Sequence, residues 1–133
     1  MKDKSKKILS EISAGELLDK ISILEIKLEK VKDKIGQEEI KKEYKILKEI
    51  QSSSIKLENK IKDLFKSIKE VNLNLWEVED NLRICEKNKD FGKKFIELAR
   101  EVYFNNDKRA KIKSEINELL GSNIREIKQY VKY

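Results

Sequence analysis

Between Ile50 and Cys85 an apolar or small residue recurs at alternating steps of four and three: Ile50, Ser54, Leu57, Ile61, Leu64, Ile68, Val71, Leu75, Val78, Leu82 and Cys85. Such spacing falls on one stripe only when the chain is an α-helix, because a strand would bury every second residue. A seam this long commits the chain to extended helices that pack side by side in coiled-coil fashion. Nothing interrupts it chemically, since the 133 residues contain no proline and only four glycines.

Two more stretches carry the same pattern. Leu17, Ile21, Leu24, Leu28, Val31 and Ile35 form a first seam. Ser13 and Glu16 have the spacing of a capping box at its start, with Ile12 and Leu17 placed as a hydrophobic staple. Gly36 suits the left-handed residue that ends a helix, so helix one is predicted over 14–35. Helix two is predicted over 38–87. Its seam stutters between Leu47 and Ile50, beside the serines of "QSSS" (51–54), where helix propensity drops. The reading favours one continuous helix there, with a break as the alternative. Asp90 is placed to cap helix three (91–120), whose seam is Phe91, Phe95, Leu98, Val102, Asn105, Arg109, Ile112, Ile116 and Leu119. Gly121 closes it, and Ser122 opens a short last helix over 123–132. The expected fold is therefore all-α, a single domain of antiparallel, coiled-coil-like hairpins. Short loops would fold helix one back on the first half of helix two, and helix three on the second half. The start of helix one then meets the end of helix three near Leu57–Ile61.

Charged residues make up 42% of the chain, yet sustained periodicity excludes disorder for most of it. Of the net charge of +6, residues 1–10 hold +3 (four lysines against Asp3) and residues 123–133 hold +2, which leaves +1 on the body. A balanced body with a basic N-terminus (1–11) and a basic C-terminus argues against nucleic acid, whose binders concentrate positive charge on one face. One cysteine and no histidine leave no intrachain disulfide, no zinc cluster and no histidine to activate the thiol. Cys85 reads as a small seam residue. No apolar run approaches the length of a membrane span. The expectation is a cytoplasmic protein with no cofactor and no metal.

One seam is irregular. Asn105 and Arg109 occupy two consecutive layers where Val102 and Ile112 flank them. Beside the seam of helix two runs a second stripe, Asn72, Trp76, Glu79 and Arg83, with Asp80 at its margin. Helix three has a matching stripe of Tyr103, Asn106, Ala110, Lys113 and Asn117, with Arg100 and Asp107 close by. Folding the two helices about Asn88–Asp90 brings these stripes together. Cations, carboxylates and amides in this mixture suit a pocket for an anionic metabolite, in which guanidinium forks grip the anion and Trp76 and Tyr103 form a flat wall. The ligand-binding candidates are thus Asn72, Trp76, Glu79, Asp80, Arg83, Arg100, Tyr103, Asn106, Asp107, Arg109 and Lys113. The competing reading is structural: a polar seam residue fixes register, and arginine at a seam snorkels to water. Helix one adds Glu16, Lys20 and Lys27 beside its seam, with Asp19 adjacent.

The segments "ISAGELLDKISILEIKLEKV", "VNLNLWEVEDNLR" and "FIELAREVYFNNDKRAKIKSEINELLGS", with "EIKQY" after them, resemble an uncharacterised bacterial family of short helical proteins, a domain of unknown function. The resemblance runs from Ile12 to Tyr130 and implies an all-helical fold but no activity. Its characteristic segments include the polar stripes, together with Gly15, Glu16, Asp19 and Lys20. Two functions follow as expectations. One is a binding or assembly protein that associates with itself or with a protein partner. The other is a binding protein or enzyme for a small anionic metabolite.

Overall fold

The computed structural model describes residues 6–133, and residues 1–5 of the basic N-terminus lie outside the described residues. The fold is an all-α bundle of four helices: α1 (Ala14–Lys30), α2 (Lys34–Ser54), α3 (Asn59–Lys87) and α4 (Lys93–Leu120). No helix of the described residues is long and apolar enough to cross a membrane.

Helix α1 starts where the sequence indicates. The Ser13 hydroxyl accepts from the Glu16 amide at 3.1 Å and satisfies one free donor of the first turn. The Glu16 side chain reaches Lys113 on α4 at 3.3 Å. The helix ends at Lys30, earlier than predicted, because Val31 turns extended and Asp33 begins a new helix. The Asp33 carboxylate accepts from the Gly36 amide at 2.6 Å, so Gly36 belongs to the first turn of α2 and does not close α1. Gln37 instead donates to the carbonyls of Leu28 and Val31 at the end of α1. Ile35, taken as the last seam residue, is exposed.

The expected continuous helix over 38–87 is two helices. The link Ile55–Glu58 follows the serines directly, and Asn59 takes a positive φ of 53°. The four–three spacing runs through this link by coincidence. Seam position Ser54 is exposed, whereas Gln51 and Ile55 are buried. Gln51 donates back to the Ile55 carbonyl at 2.9 Å and pins the turn. Burying Ile55 against Leu17 and Ile61 holds the corner in the core. The break lets α2 lie along α1, which is the only helix it packs on among the described residues.

Helix α1 is therefore the hub, in contact with α2, α3 and α4. It runs antiparallel to α4, with Gly15 at Asn117 and Asp19 at Arg109. The main core joins Leu17, Leu18 and Ile21 of α1 to Ile55, Ile61, Leu64 and Ile116. The start of α1 does meet the end of α4 near residues 57–61, as the loop lengths require. Beyond it, α3 and α4 continue as a two-helix hairpin around Val78, Cys85 and Leu98, where Cys85 is a buried core thiol.

Helix α4 begins at Lys93, with Asp90 accepting from the Gly92 amide at 3.2 Å, and ends at Gly121, whose φ of 60° is left-handed. The predicted short helix over 123–132 is absent, and these residues carry no helix. Its apolar stripe has nothing to cover it, since Ile127 and Val131 are largely exposed, and an isolated helix this short cannot sustain itself. Charge holds the segment on α4 instead. Arg125 pairs with Glu118 at 2.7 Å, Glu126 with Lys113 at 2.9 Å and Lys128 with Asp107 at 3.2 Å.

The close approach of α1 to α4 needs a glycine. A Cβ on Gly15 would stand 2.5 Å from the Lys113 carbonyl oxygen, and the Gly15 amide donates to Asn117 at 2.7 Å. Alanine is the better helix former by about 1 kcal/mol, but the clash opposes that gain with an overpacking cost of about 1–3 kcal/mol. Gly15→Ala is accordingly expected to destabilise the protein, which urea unfolding measures. An unchanged midpoint would show that the two helices separate freely.

Candidate functional site

Asp19 and Ser22 stand one helical turn apart on the face of α1 that looks between α3 and α4. Both are fully buried, Asp19 at 0% exposure. The Asp19 carboxylate accepts from three donors. Arg109 of α4 closes on it with Nε at 2.9 Å to Oδ1 and Nη2 at 2.6 Å to Oδ2, a two-pronged ion pair. Asn72 of α3 donates at 2.8 Å to Oδ1 and at 2.8 Å to the Ser22 hydroxyl, which itself donates to the Asp19 carbonyl at 2.7 Å. The hydrogen bonds to Asp19 hold the Arg109 guanidinium above its ordinary pKa, against burial that pulls it down. The Arg109 side chain is 27% exposed, so the pair lies at the edge of the core with its remaining nitrogen, Nη1, 3.5 Å from Asn106.

The two polar seam residues thus have different partners. Arg109 ties α4 to α1. Asn105 ties α4 to α3, accepting from Asn74 at 3.3 Å and donating to the Glu101 carbonyl at 2.8 Å. No buried side-chain nitrogen or oxygen among the described residues lacks a partner.

Above this network opens a cleft of about 480 Å³ between α1, α3 and α4. Seven of the sequence candidates line it: Asn72, Trp76, Glu79, Asp80, Arg83, Asn106 and Arg109, with Leu75 beside them. Ile23 and Ile26 of α1 complete the apolar side. Glu79 and Arg83 form an exposed pair at 3.0 Å along α3. With Asp19 neutralising Arg109, the charged rim holds Glu79, Asp80 and Arg83, and no excess of positive charge faces the cleft.

The other four candidates lie elsewhere. Arg100 stacks 5.5 Å from the centroid of the Phe104 ring. Tyr103 packs with Phe104 and Tyr133. Asp107 accepts from Lys128 at 3.2 Å and from the Tyr133 hydroxyl, whose hydrogen bond holds the carboxyl below its ordinary pKa. Lys113 bridges Glu16 and Glu126; burial lowers its pKa, but the Glu126 hydrogen bond and the nearby carboxylates outweigh that and raise it. Residues 100, 103 and 107 share a face of α4 that turns from α3 toward the C-terminal segment. A rule of stripe spacing does not separate them from Asn106 and Arg109, one and two positions from Asp107.

Spacing sets Asp19 beside the seam of helix one and does not single out Ser22. The signal was in "LLDKISILEI", where Leu17, Leu18, Ile21, Ile23, Leu24 and Ile26 leave scarcely any polar face. A helix apolar on most sides is a central one, and a carboxylate within it must be paired.

Three helices gathered on a central one, with a buried ion pair between α1 and α4 that an amide of α3 also joins, define a small all-helical domain. Residues 8–132 match a family of unknown function, DUF6165, and the chain belongs to that family. No curated protein and no solved structure matches it.

The network makes a ranked prediction. Asp19→Ala strands a guanidinium and an amide together and is expected to cost about 3–5 kcal/mol of stability, the range for a broken buried ion pair. Asn72→Ala removes a neutral donor, leaves the ion pair intact and should cost about 1–3 kcal/mol. Chemical denaturation of both variants reads the difference, and equal losses would mean that the charge pair is not the dominant contact.

Proposed function

We propose that the chain is a small cytoplasmic binding and assembly protein that pairs with a second copy of itself through the groove beside α1 and α2. The observation that supports this reading is an apolar face without a partner helix. Helix α2 packs on α1 alone and leaves Ile46 at 51% and Ile50 at 45% exposure, one turn apart on the same side. With Ile8, Leu9 and Leu120 they line a groove of about 650 Å³ whose floor is Leu17, Leu47 and Ile55. Exposed apolar surface that is contiguous and rimmed by polar groups is characteristic of contact sites. The rim carries both signs, Glu11, Lys20 and Glu43. A two-fold pairing opposes each patch to itself, which a mixed rim favours and a rim of one sign would resist.

An anionic metabolite in the Trp76 cleft has less to support it, because Glu79 and Asp80 offset Arg83 while Asp19 offsets Arg109. The paired network below the cleft reads as scaffold, with no side chain left poised to exchange a proton.

Light scattering after size-exclusion chromatography tests the pairing. The wild type should run as a dimer, and Ile46→Asp with Ile50→Asp as a monomer of unchanged helical circular dichroism, since both side chains are exposed in the single chain. A monomeric wild type at the highest attainable concentration would overturn the proposal. So would a dimer that survives these changes but dissolves on Phe91→Asp with Ile96→Asp, which would place the contact at the hairpin tip.

A further inference from the structure

A second pocket is distinct from the cleft lined by the polar stripes of α3 and α4. It lies on another side of α4, beneath the irregular C-terminal segment, with a volume of about 1000 Å³. Five lysines line it, Lys108, Lys111, Lys113, Lys128 and Lys132, against three carboxylates, Glu101, Asp107 and Glu126. The carboxylates are unequally engaged. Asp107 is held by Lys128 and Tyr133, and Glu126 by Lys113. Among the described residues Lys108, Lys111 and Lys132 enter no ion pair, and Glu101 is the one lining carboxylate that enters none.

We propose that this pocket binds a small molecule carrying one or more phosphate groups. Three features point to that class. First, the lining has a cation excess, which the Trp76 cleft lacks. Second, the excess is all lysine. An ammonium is a compact point charge with three donors that meets phosphate oxygens from many directions, whereas planar carboxylates are better matched by the arginine fork. Third, Phe104, Tyr130 and Tyr133 stand in the same lining and offer apolar surface to the organic part of such a ligand. Lys108 and Lys111 are three residues apart on one helix, so their ammonium groups reach the same region. The site is independent of the α1–α2 groove, and neither depends on the other.

Calorimetric titration of the full chain with inorganic pyrophosphate, at physiological ionic strength, is the test. Binding is expected, and Lys108→Ala with Lys111→Ala should weaken it by about tenfold or more, since each lysine contributes a charge-assisted bond. Lys41→Ala with Lys42→Ala removes the same charge from exposed positions of α2 and should leave affinity unchanged. Glu101→Gln, which takes away the unengaged carboxylate, should tighten it. Absence of binding to the wild type would overturn the proposal. Equal losses in the two lysine pairs would also overturn it, because the effect would then be general charge. Binding of a single-stranded oligonucleotide without any of pyrophosphate would overturn it in favour of a nucleic-acid surface.

Discussion

Three helices meet at one carboxylate. An aspartate with no exposure to solvent would cost several kcal/mol if left alone, and here Arg109 and Asn72 approach it from α4 and α3. What this provides is position more than net stability. A leucine seam loses little by sliding, because each layer resembles the next. A two-pronged ion pair cannot slide by one turn, about 5.4 Å, without stranding both charges. Asp19 therefore sets the height of α1 against α4, and the Asn72 amide sets it against α3. Asn105 does the same between α3 and α4 with neutral groups. The polar interruption in the seam of α4 is the mark of two register contacts, one layer apart, made to two different helices.

Arginine suits the Asp19 contact for a physical reason. Its guanidinium stays protonated when partly desolvated, and its fork matches both carboxylate oxygens at once. A lysine there would offer one point contact and would lose its charge more readily in the same surroundings. Lys108 and Lys111 of α4 instead line the pocket beneath the C-terminal segment. On this helix Arg109 locks the bundle and Lys113 adds a bridge to Glu16 of α1, while Lys108 and Lys111 present charge at the surface.

Two helix ends are legible in the sequence, whereas the Asp33 cap of α2 is hidden because Gly36, three residues on, resembles a helix stop. Ser13 caps α1 and Gly121 closes α4, because each demands a specific backbone geometry. The polar stripes were legible too, and α3 and α4 do bring Asn72, Trp76, Glu79, Asp80, Arg83, Asn106 and Arg109 around one cleft. The break after Ser54 was obscured because spacing counts positions and cannot register a turn. Four link residues happened to preserve the count while Ile55, off the stripe, took the buried place. The C-terminal segment failed as a helix for the opposite reason. Its periodicity was real, but no surface remained to receive it.

The centrality of α1 escaped a reading in terms of seams, which assumes one buried stripe for each helix. A helix that touches all three others has no single stripe, and its core polar groups look like surface residues at the margin of one. That geometry also divides the protein. Where α1 is present, the core draws on three helices and the α2–α3 link, and among the described residues its buried polar side-chain atoms are all partnered. Where α1 is absent, α3 and α4 must cover Val78, Cys85 and Leu98 by themselves, with only Phe95, Leu82 and Val102 to assist. A two-helix core leaves each apolar residue with one facing helix, so Ile84, Phe91 and Ile96 stay exposed along the hairpin. The part of the molecule held in register is thus the part threaded by Asp19, and the proposed contact groove and anion pocket both border it. Surfaces that must present a fixed arrangement of side chains gain from resting on the helices that a charge pair holds in register.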